Sequence, residues 1–168
     1  MNNAHRGETV LAVYPTTRGI GFVVMKSPLA PIDWGTRDAR GDQKNARCLE
    51  KVSALIEAHQ PDVIILEDPT APGSSRPERI RRLCRSIATM ADGQAIDIHV
   101  YPRSRVKAFF EKFGVRTRHE VAVVIAKQVT ALERFLPPRR KYWEIENPRM
   151  SIFNAAALAM AYFGSVEE

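Results

Sequence analysis

Two adjacent carboxylates, Glu67 and Asp68, close the aliphatic run Val63-Ile64-Ile65-Leu66 and stand before a proline-containing loop. Carboxylates at a strand end can ligate a hard divalent cation such as Mg2+ or Mn2+, which takes oxygen donors and draws anionic charge from the protein. Phosphodiester hydrolysis by two such ions needs carboxylates clustered so that the metals sit about 3.5–4 Å apart. Glu67 supplies one charge. Asp68 follows it directly and points to the other side of a continuing strand, so it becomes a second metal ligand only if the strand bends at its end. A different chemistry is carried by the cations. Arg18 lies in a turn, Arg76, Arg79 and Arg82 follow Glu67, and Arg103, Arg105 and Lys107 follow a later strand. Arg116 and Arg118 precede a helix, and Lys141 lies in a basic and aromatic loop. Side chains of this kind neutralise phosphates and release counterions, the main source of affinity for nucleic acid. Each also reads as an ordinary solvated surface charge.

These groups must be positioned by an alternation of strands and helices. The stretch Val10–Val24, VLAVYPTTRGIGFVV, reads as strands over about Thr9–Tyr14 and Ile20–Met25, joined by a polar tip. That tip holds hydroxyls, one guanidinium and Gly19, the composition of a turn whose backbone comes close to something. A short edge strand follows over Pro31–Gly35, where proline is tolerated. Asp42 as N-cap and the spacing of Cys48, Val52, Leu55, Ile56 and His59 predict a helix over Gln43–His59. Asp62–Leu66 has the aliphatic character of a strand buried on both faces, parallel to the first. That pairing brings Tyr14 and Glu67 to the same carboxyl edge. Ser75 and Glu78 form a capping-box pattern that opens a helix to about Met90. Ile96–Tyr101 is a fifth strand, and Pro102 begins a short helix through Phe113. Thr117 and Glu120 open another helix to about Phe135. Asn147 as N-cap and Pro148 start the last helix, with Gly164 as its stop.

The chain has 168 residues, enough for one domain with a real core, and its 45% apolar content suits a globular protein. Residues 1–8 read as a polar tail and 9–168 as the domain. A formal charge of +6 biases the surface toward polyanions. Cys48 and Cys84 fall on apolar helix faces, where a thiol serves as a small hydrophobe, and nothing at metal spacing joins them. No secretory signal and no membrane-length apolar run is present, which implies a cytoplasmic protein.

The stretches LAVYPTTRGIGFVV, QPDVIILEDP, YPRSRVKAFF, TRHEVAVVIAKQV and MSIFNAAALAMAYF resemble the successive motifs of the RuvC-type Holliday-junction resolvases, over most of the chain. The resemblance implies an α/β ribonuclease-H-like fold: a five-stranded mixed sheet of order 3-2-1-4-5 with helices on both faces. In that family the first strand ends in Asp, the strand after the first helix ends in Glu, and the last helix presents one or two Asp that complete a two-metal site. Here Tyr14 stands at the first position, Glu67 matches the second, and Ser151 and Asn154 stand at the closing positions. Tyr14 is a neutral phenol at pH 7 and Asn154 offers a neutral carbonyl, so the pattern lacks charge for two metals. The resemblance also implies branched DNA as partner and a homodimer. The helix after Glu67 is a candidate subunit contact, although its arginines suit DNA equally.

Other residues have bland readings. His119 beside Arg116 and Arg118 reads as a surface histidine with a phosphate contact as its alternative, and Asp33 reads as structural. Trp34 and Trp143 read as packing residues, with the Trp143 loop, RRKYWEIEN, a candidate for DNA contact. Three functions stay open: a RuvC-like binder of branched or structured DNA whose nuclease activity is lost or much reduced, an active metal-dependent junction endonuclease with displaced ligands, and a protein-interaction scaffold that has kept only the fold.

Overall fold

The computed structural model describes residues 7–167. Residues 1–6 of the expected tail lie outside the described residues. Glu8, its last residue, is tied to the body by the Tyr162 hydroxyl, which donates to its carboxylate at 2.6 Å.

The expected sheet order is found. β1 (Val10–Pro15), β2 (Gly19–Ser27) and β3 (Ala30–Asp38) form an antiparallel meander. After α1 (Lys44–His59), β4 (Val63–Glu67) returns parallel to β1, and after α2 (Glu78–Gly93), β5 (Asp97–Tyr101) adds parallel to β4. The five strands lie in the order β3-β2-β1-β4-β5. Then come α3 (Arg103–Phe110) with a short 3-10 turn, α4 (Arg118–Gln128) with a 3-10 segment over Thr130–Phe135, and α5 (Met150–Glu167).

Strand alternation sorts the core into two layers. Leu11, Val13, Phe22, Val24, Ile64 and Leu66 face α1 and α2. Val10, Ala12, Tyr14, Val23, Val63 and Ile65 face α3, α4 and α5. Apart from half-buried Asn154, helix α5 is buried from Met150 to Phe163 and largely apolar all round, as expected of a helix clamped between sheet and helices. Its alanines let it lie close to β1 and β2. At Gly21 the approach is extreme: a Cβ there would stand 2.2 Å from Ser151 Oγ and 2.6 Å from the Ser151 carbonyl carbon. A glycine inside an apolar strand is the sequence sign of such an approach.

Several boundaries differ from expectation for physical reasons. β3 runs on to Asp38 because Thr36 and Arg37 pair with Gly21 and Ile20, and an edge strand can carry polar residues. Ser75 does not cap α2, whose N-cap is Pro77. Thr117 does cap α4, accepting from the Glu120 amide at 3.1 Å. Asn147 caps one turn ahead of α5, its side chain accepting from the Arg149 amide at 2.9 Å. Gly164 does not stop α5; it lies inside the helix, where a Cβ would stand 2.1 Å from the Phe109 ring, so the glycine answers to packing. Cys48 and Cys84 are buried free thiols. Burial pushes the Cys84 thiol up to about 11, so it is inert at neutral pH. Asp33 Oδ2 accepts from His59 Nε2 at 2.8 Å, a link between β3 and the end of α1. No helix among the described residues is long and apolar enough to cross a membrane.

Candidate functional site at the carboxyl edge of β1 and β4

Because Val13 pairs with Leu66 in the parallel ladder, the next residues along each strand, Tyr14 and Glu67, end level with each other. Both belong to the alternation that faces α5. They line one cleft with Asn154 from α5, closed below by apolar side chains that include Val106, Ala122, Phe153 and Leu158. Around its mouth stand Arg103 and Lys107 of α3, Arg116 of the following loop and Arg118 of α4. Three of the four positions derived from the resemblance therefore meet in space. Ser151 does not line the cleft; it is buried against Gly21, and its hydroxyl donates to the Pro148 carbonyl at 2.7 Å.

Tyr14 is only 5% exposed. Burial pushes its phenol above the ordinary value, and the Glu67 charge adds to the push, while Arg118 and Arg76 pull against it. The phenol is neutral throughout the physiological range. Glu67 is half-buried, and its Oε2 is buried with no hydrogen-bond partner. Asp68 lies just past β4 and lines the groove beside the cleft together with Glu67; its Oδ1 accepts from the Thr70 amide at 2.9 Å and the Thr70 hydroxyl at 2.7 Å, closing the loop after the strand.

The donor set does not fit a two-metal centre. Two divalent ions need several anionic oxygens within a few ångströms. The cleft lining offers one carboxylate, a neutral phenol and a neutral amide, with four cations at its mouth. Among the described residues no three His, Cys, Asp or Glu side chains gather in a metal-holding group.

The cations fall into distinct groups. Arg76 is half-buried, with Nη1 donating to the Tyr14 hydroxyl at 3.3 Å, Nη2 to the Pro15 carbonyl, and its guanidinium 4.8 Å from the Tyr14 ring centre. Arg79 donates to the Thr16 carbonyl at 2.7 Å and to Asn45 Oδ1 at 2.9 Å, and Asn45 returns a bond to the Arg79 carbonyl. The polar tip of the first hairpin is thus occupied from within. Its close approach is to its own sheet, since a Cβ on Gly19 would stand 2.0 Å from the Arg37 carbonyl oxygen. Arg82 pairs with Glu78 at 3.4 Å, and Arg18 with Asp38 at 3.6 Å. Arg105 lies on the Tyr101 ring, 4.0 Å from its centre, and Lys141 lies 5.3 Å from that of Trp143. Arg103, Lys107 and Arg116 are exposed around the cleft, and Arg118 is half-buried with Glu146 at 4.0 Å.

From this cleft a groove continues past Arg103 and Arg118 to Arg18, Arg139, Arg140 and the loop before α5. His119 lines it, and its Nδ1 is buried without a hydrogen-bond partner, so it is no free surface histidine. Trp34 packs as expected, edge-on to Phe135 at 6.1 Å. Trp143 does not pack in the core; it is 65% exposed. Asn45 and Glu146, the partners that fix Arg79 and Arg118, escaped the sequence reading: Asn45 lies in no motif, and Glu146 lies in the RRKYWEIEN loop, where nothing marks it as a partner. No residue pattern announces a contact between residues so far apart in the chain.

The sequence matches no protein-family profile and no curated protein. The structure does match solved ones. Thermus thermophilus RuvC in complex with a Holliday junction substrate gives a TM-score of 0.69 at 13% identity, covering 94% of this chain and 94% of that one. Another structure of Thermus thermophilus RuvC gives 0.67 at 12% identity, with 95% and 96% covered. The yeast mitochondrial Holliday junction resolvase Ydc2 gives 0.59 at 12% identity, covering 96% of this chain and 82% of that one. The chain therefore has the RuvC-type, ribonuclease-H-like fold.

Proposed function

We propose that this protein binds branched or otherwise structured DNA at the carboxyl edge of its sheet, and that nuclease activity there is lost or much reduced. The observation that carries the reading is the make-up of the Glu67 cleft, one carboxylate facing Arg103, Lys107, Arg116 and Arg118. A site with that balance repels a pair of divalent cations and attracts a phosphate. Cationic contacts supply nucleic-acid affinity without a metal, so binding survives where two-metal hydrolysis has no ligands. The likeness to RuvC in complex with a Holliday junction supports branched DNA as the class of target.

The test incubates the purified protein with a labelled four-way junction and with a matched linear duplex, in Mg2+, Mn2+ or EDTA, and reads binding and cleavage from the same samples. Preference for the junction with no cleavage under any condition is the expected result. Metal-dependent cleavage that vanishes in Glu67→Gln overturns the loss of catalysis. Failure to bind either DNA overturns the reading as a whole and leaves a protein-interaction scaffold.

A further inference from the structure

The loop between the 3-10 segment ending at Phe135 and α5 displays Tyr142, Trp143 and Ile145 at 92%, 65% and 94% exposure, the largest apolar exposures among the described residues. The display is built. Pro137, Pro138 and Pro148 stiffen both ends of the loop. Between them Lys141–Glu144 forms a tight turn, closed by the Glu144 amide donating to the Lys141 carbonyl at 3.0 Å. The Glu144 carboxylate accepts from the Lys141 amide at 3.1 Å, and Arg140 donates to the Glu144 carbonyl at 3.1 Å. Tyr142 and Trp143 occupy the two central positions of that turn, ring against ring at 4.8 Å and nearly perpendicular. The rings stand apart from the hydrophobic core.

The surroundings name the partner. The groove running from the Glu67 cleft to this loop is lined by Arg18, Arg103, Arg118, Arg139 and Arg140. Its carboxylates are engaged, Glu144 within the turn and Glu146 with Arg118 at 4.0 Å. Arg139 and Arg140 of that groove lead directly into the turn that carries the two exposed rings, an arrangement that suits a strand whose phosphates follow the groove and whose bases are free of pairing. Base faces stack on aromatic rings without regard to sequence. Inside a duplex the base faces are stacked on one another, so paired DNA offers phosphates to the groove and, away from its ends, no base face to the rings.

We propose that Tyr142 and Trp143 are a stacking site for unpaired bases, in single-stranded DNA or at a branch point, reached along the arginine groove. The inference rests on the DNA-binding reading above and adds to it a site and the state of the DNA that it takes.

The test measures the affinity of the full chain and of Trp143→Ala, Tyr142→Ala and Trp143→Phe for a single strand carrying 2-aminopurine and for a matched blunt duplex. Trp143→Ala is expected to weaken single-strand binding about tenfold, while duplex binding changes less than about twofold. The wild type should alter the 2-aminopurine fluorescence on binding, Trp143→Ala should lose most of that signal, and Trp143→Phe should keep it. Because the rings are exposed, thermal midpoints should be equal across the set. Equal weakening on both DNAs overturns the inference, since it leaves only a backbone contact. Unchanged affinity and fluorescence on the single strand also overturn it and leave the rings to a protein partner. If the wild type binds no DNA at all, including a four-way junction, the DNA-binding reading falls with it; if it binds the junction and the rings prove dispensable, only the stacking site falls.

Discussion

On one side of Glu67, Arg76 and Arg79 are half-buried and turned inward, their guanidinium groups bonded to the Pro15 and Thr16 carbonyls, the Tyr14 hydroxyl and Asn45. On the other side, Arg103, Lys107 and Arg116 are exposed and, with half-buried Arg118, stand at the mouth of the cleft. The residue types match, and in the sequence both groups look equally suited to phosphate. The difference lies in what surrounds them. At the end of β1 the Pro15 and Thr16 carbonyls lie within reach of these side chains and accept from them, and a planar guanidinium can take two acceptors at once. Around α3 and α4, among the described residues, the side chains of Arg103, Lys107 and Arg116 meet no comparable pair of carbonyls, so their charge faces solvent. The first group fastens the hairpin tip to α2 and the loop before it, and the second group is available for a ligand.

The strongest way to break this contrast is at Arg79. Its replacement by Ala removes bonds to the Thr16 carbonyl and to Asn45 at once and leaves partly buried acceptors unpaired, a loss of about 2–3 kcal/mol. For a domain of this size that lowers the thermal midpoint by roughly 4–12 °C. Arg79→Lys should recover little, because one ammonium cannot reproduce the fork. DNA affinity, measured well below the midpoint, should stay within about twofold of the wild type, since no phosphate contact is lost. A large loss of DNA affinity with an unchanged midpoint would place Arg79 in the second group.

The second group should behave in the opposite way. Arg103→Gln and Arg118→Gln are each expected to weaken DNA binding about three- to tenfold and to reduce the slope of log affinity against log salt by about 0.9. Their thermal midpoints should move little. Arg118 loses an ion pair with Glu146 at the long distance of 4.0 Å, and surface pairs of that kind contribute little. Salt-dependent titration of each variant against a four-way junction is the measurement. An unchanged slope in both would mean that the cleft mouth does not meet phosphate.

The sheet was legible in the sequence because its signals are local and redundant. The aliphatic runs of β1 and β4 bound the sheet centre, and the five motifs of the RuvC type fix the order in which the strands come. The convergence of Tyr14, Glu67 and Asn154 was legible through the same motifs and the parallel pairing. Ser151 was not: its place against Gly21 depends on how deeply α5 sinks onto β2, and only the glycine hinted at that depth. The fate of each arginine was hidden for a related reason. A guanidinium on a long stem chooses its partner by tertiary distance, and Arg79 reaches Thr16 across 63 positions of sequence. Trp143 misled in the other direction. Tryptophan is usually packed, yet the prolines beside it and the short turn around it hold the ring in water.

The smallest effect belongs to a third kind of arginine. Arg82 and Arg85 on the outer face of α2 both reach the exposed carboxylate of Glu78, at 3.4 Å and 3.0 Å. The hydrogen bond from Arg85 is the chief reason that the Glu78 carboxyl is held below its ordinary value of 4.5, with the charges of both arginines and the bond from Arg82 helping. A carboxyl whose native value lies below its unfolded one stabilises the fold above the unfolded value, and that contribution is lost as the pH falls through the native one. At neutral pH Arg82→Ala should therefore leave the thermal midpoint unchanged within error, because Arg85 still holds the carboxylate and exposed pairs are weak. The drop in midpoint between pH 5 and pH 3 should shrink slightly in Arg85→Ala and less in Arg82→Ala. On DNA, Arg82→Ala should cost less than Arg103→Gln, since a guanidinium already paired with Glu78 must give up a partner before it can meet a phosphate. Equal losses of affinity from the two variants would extend the DNA-binding surface over α2, and the contrast between the groups would then hold only for the two arginines fixed to the hairpin tip.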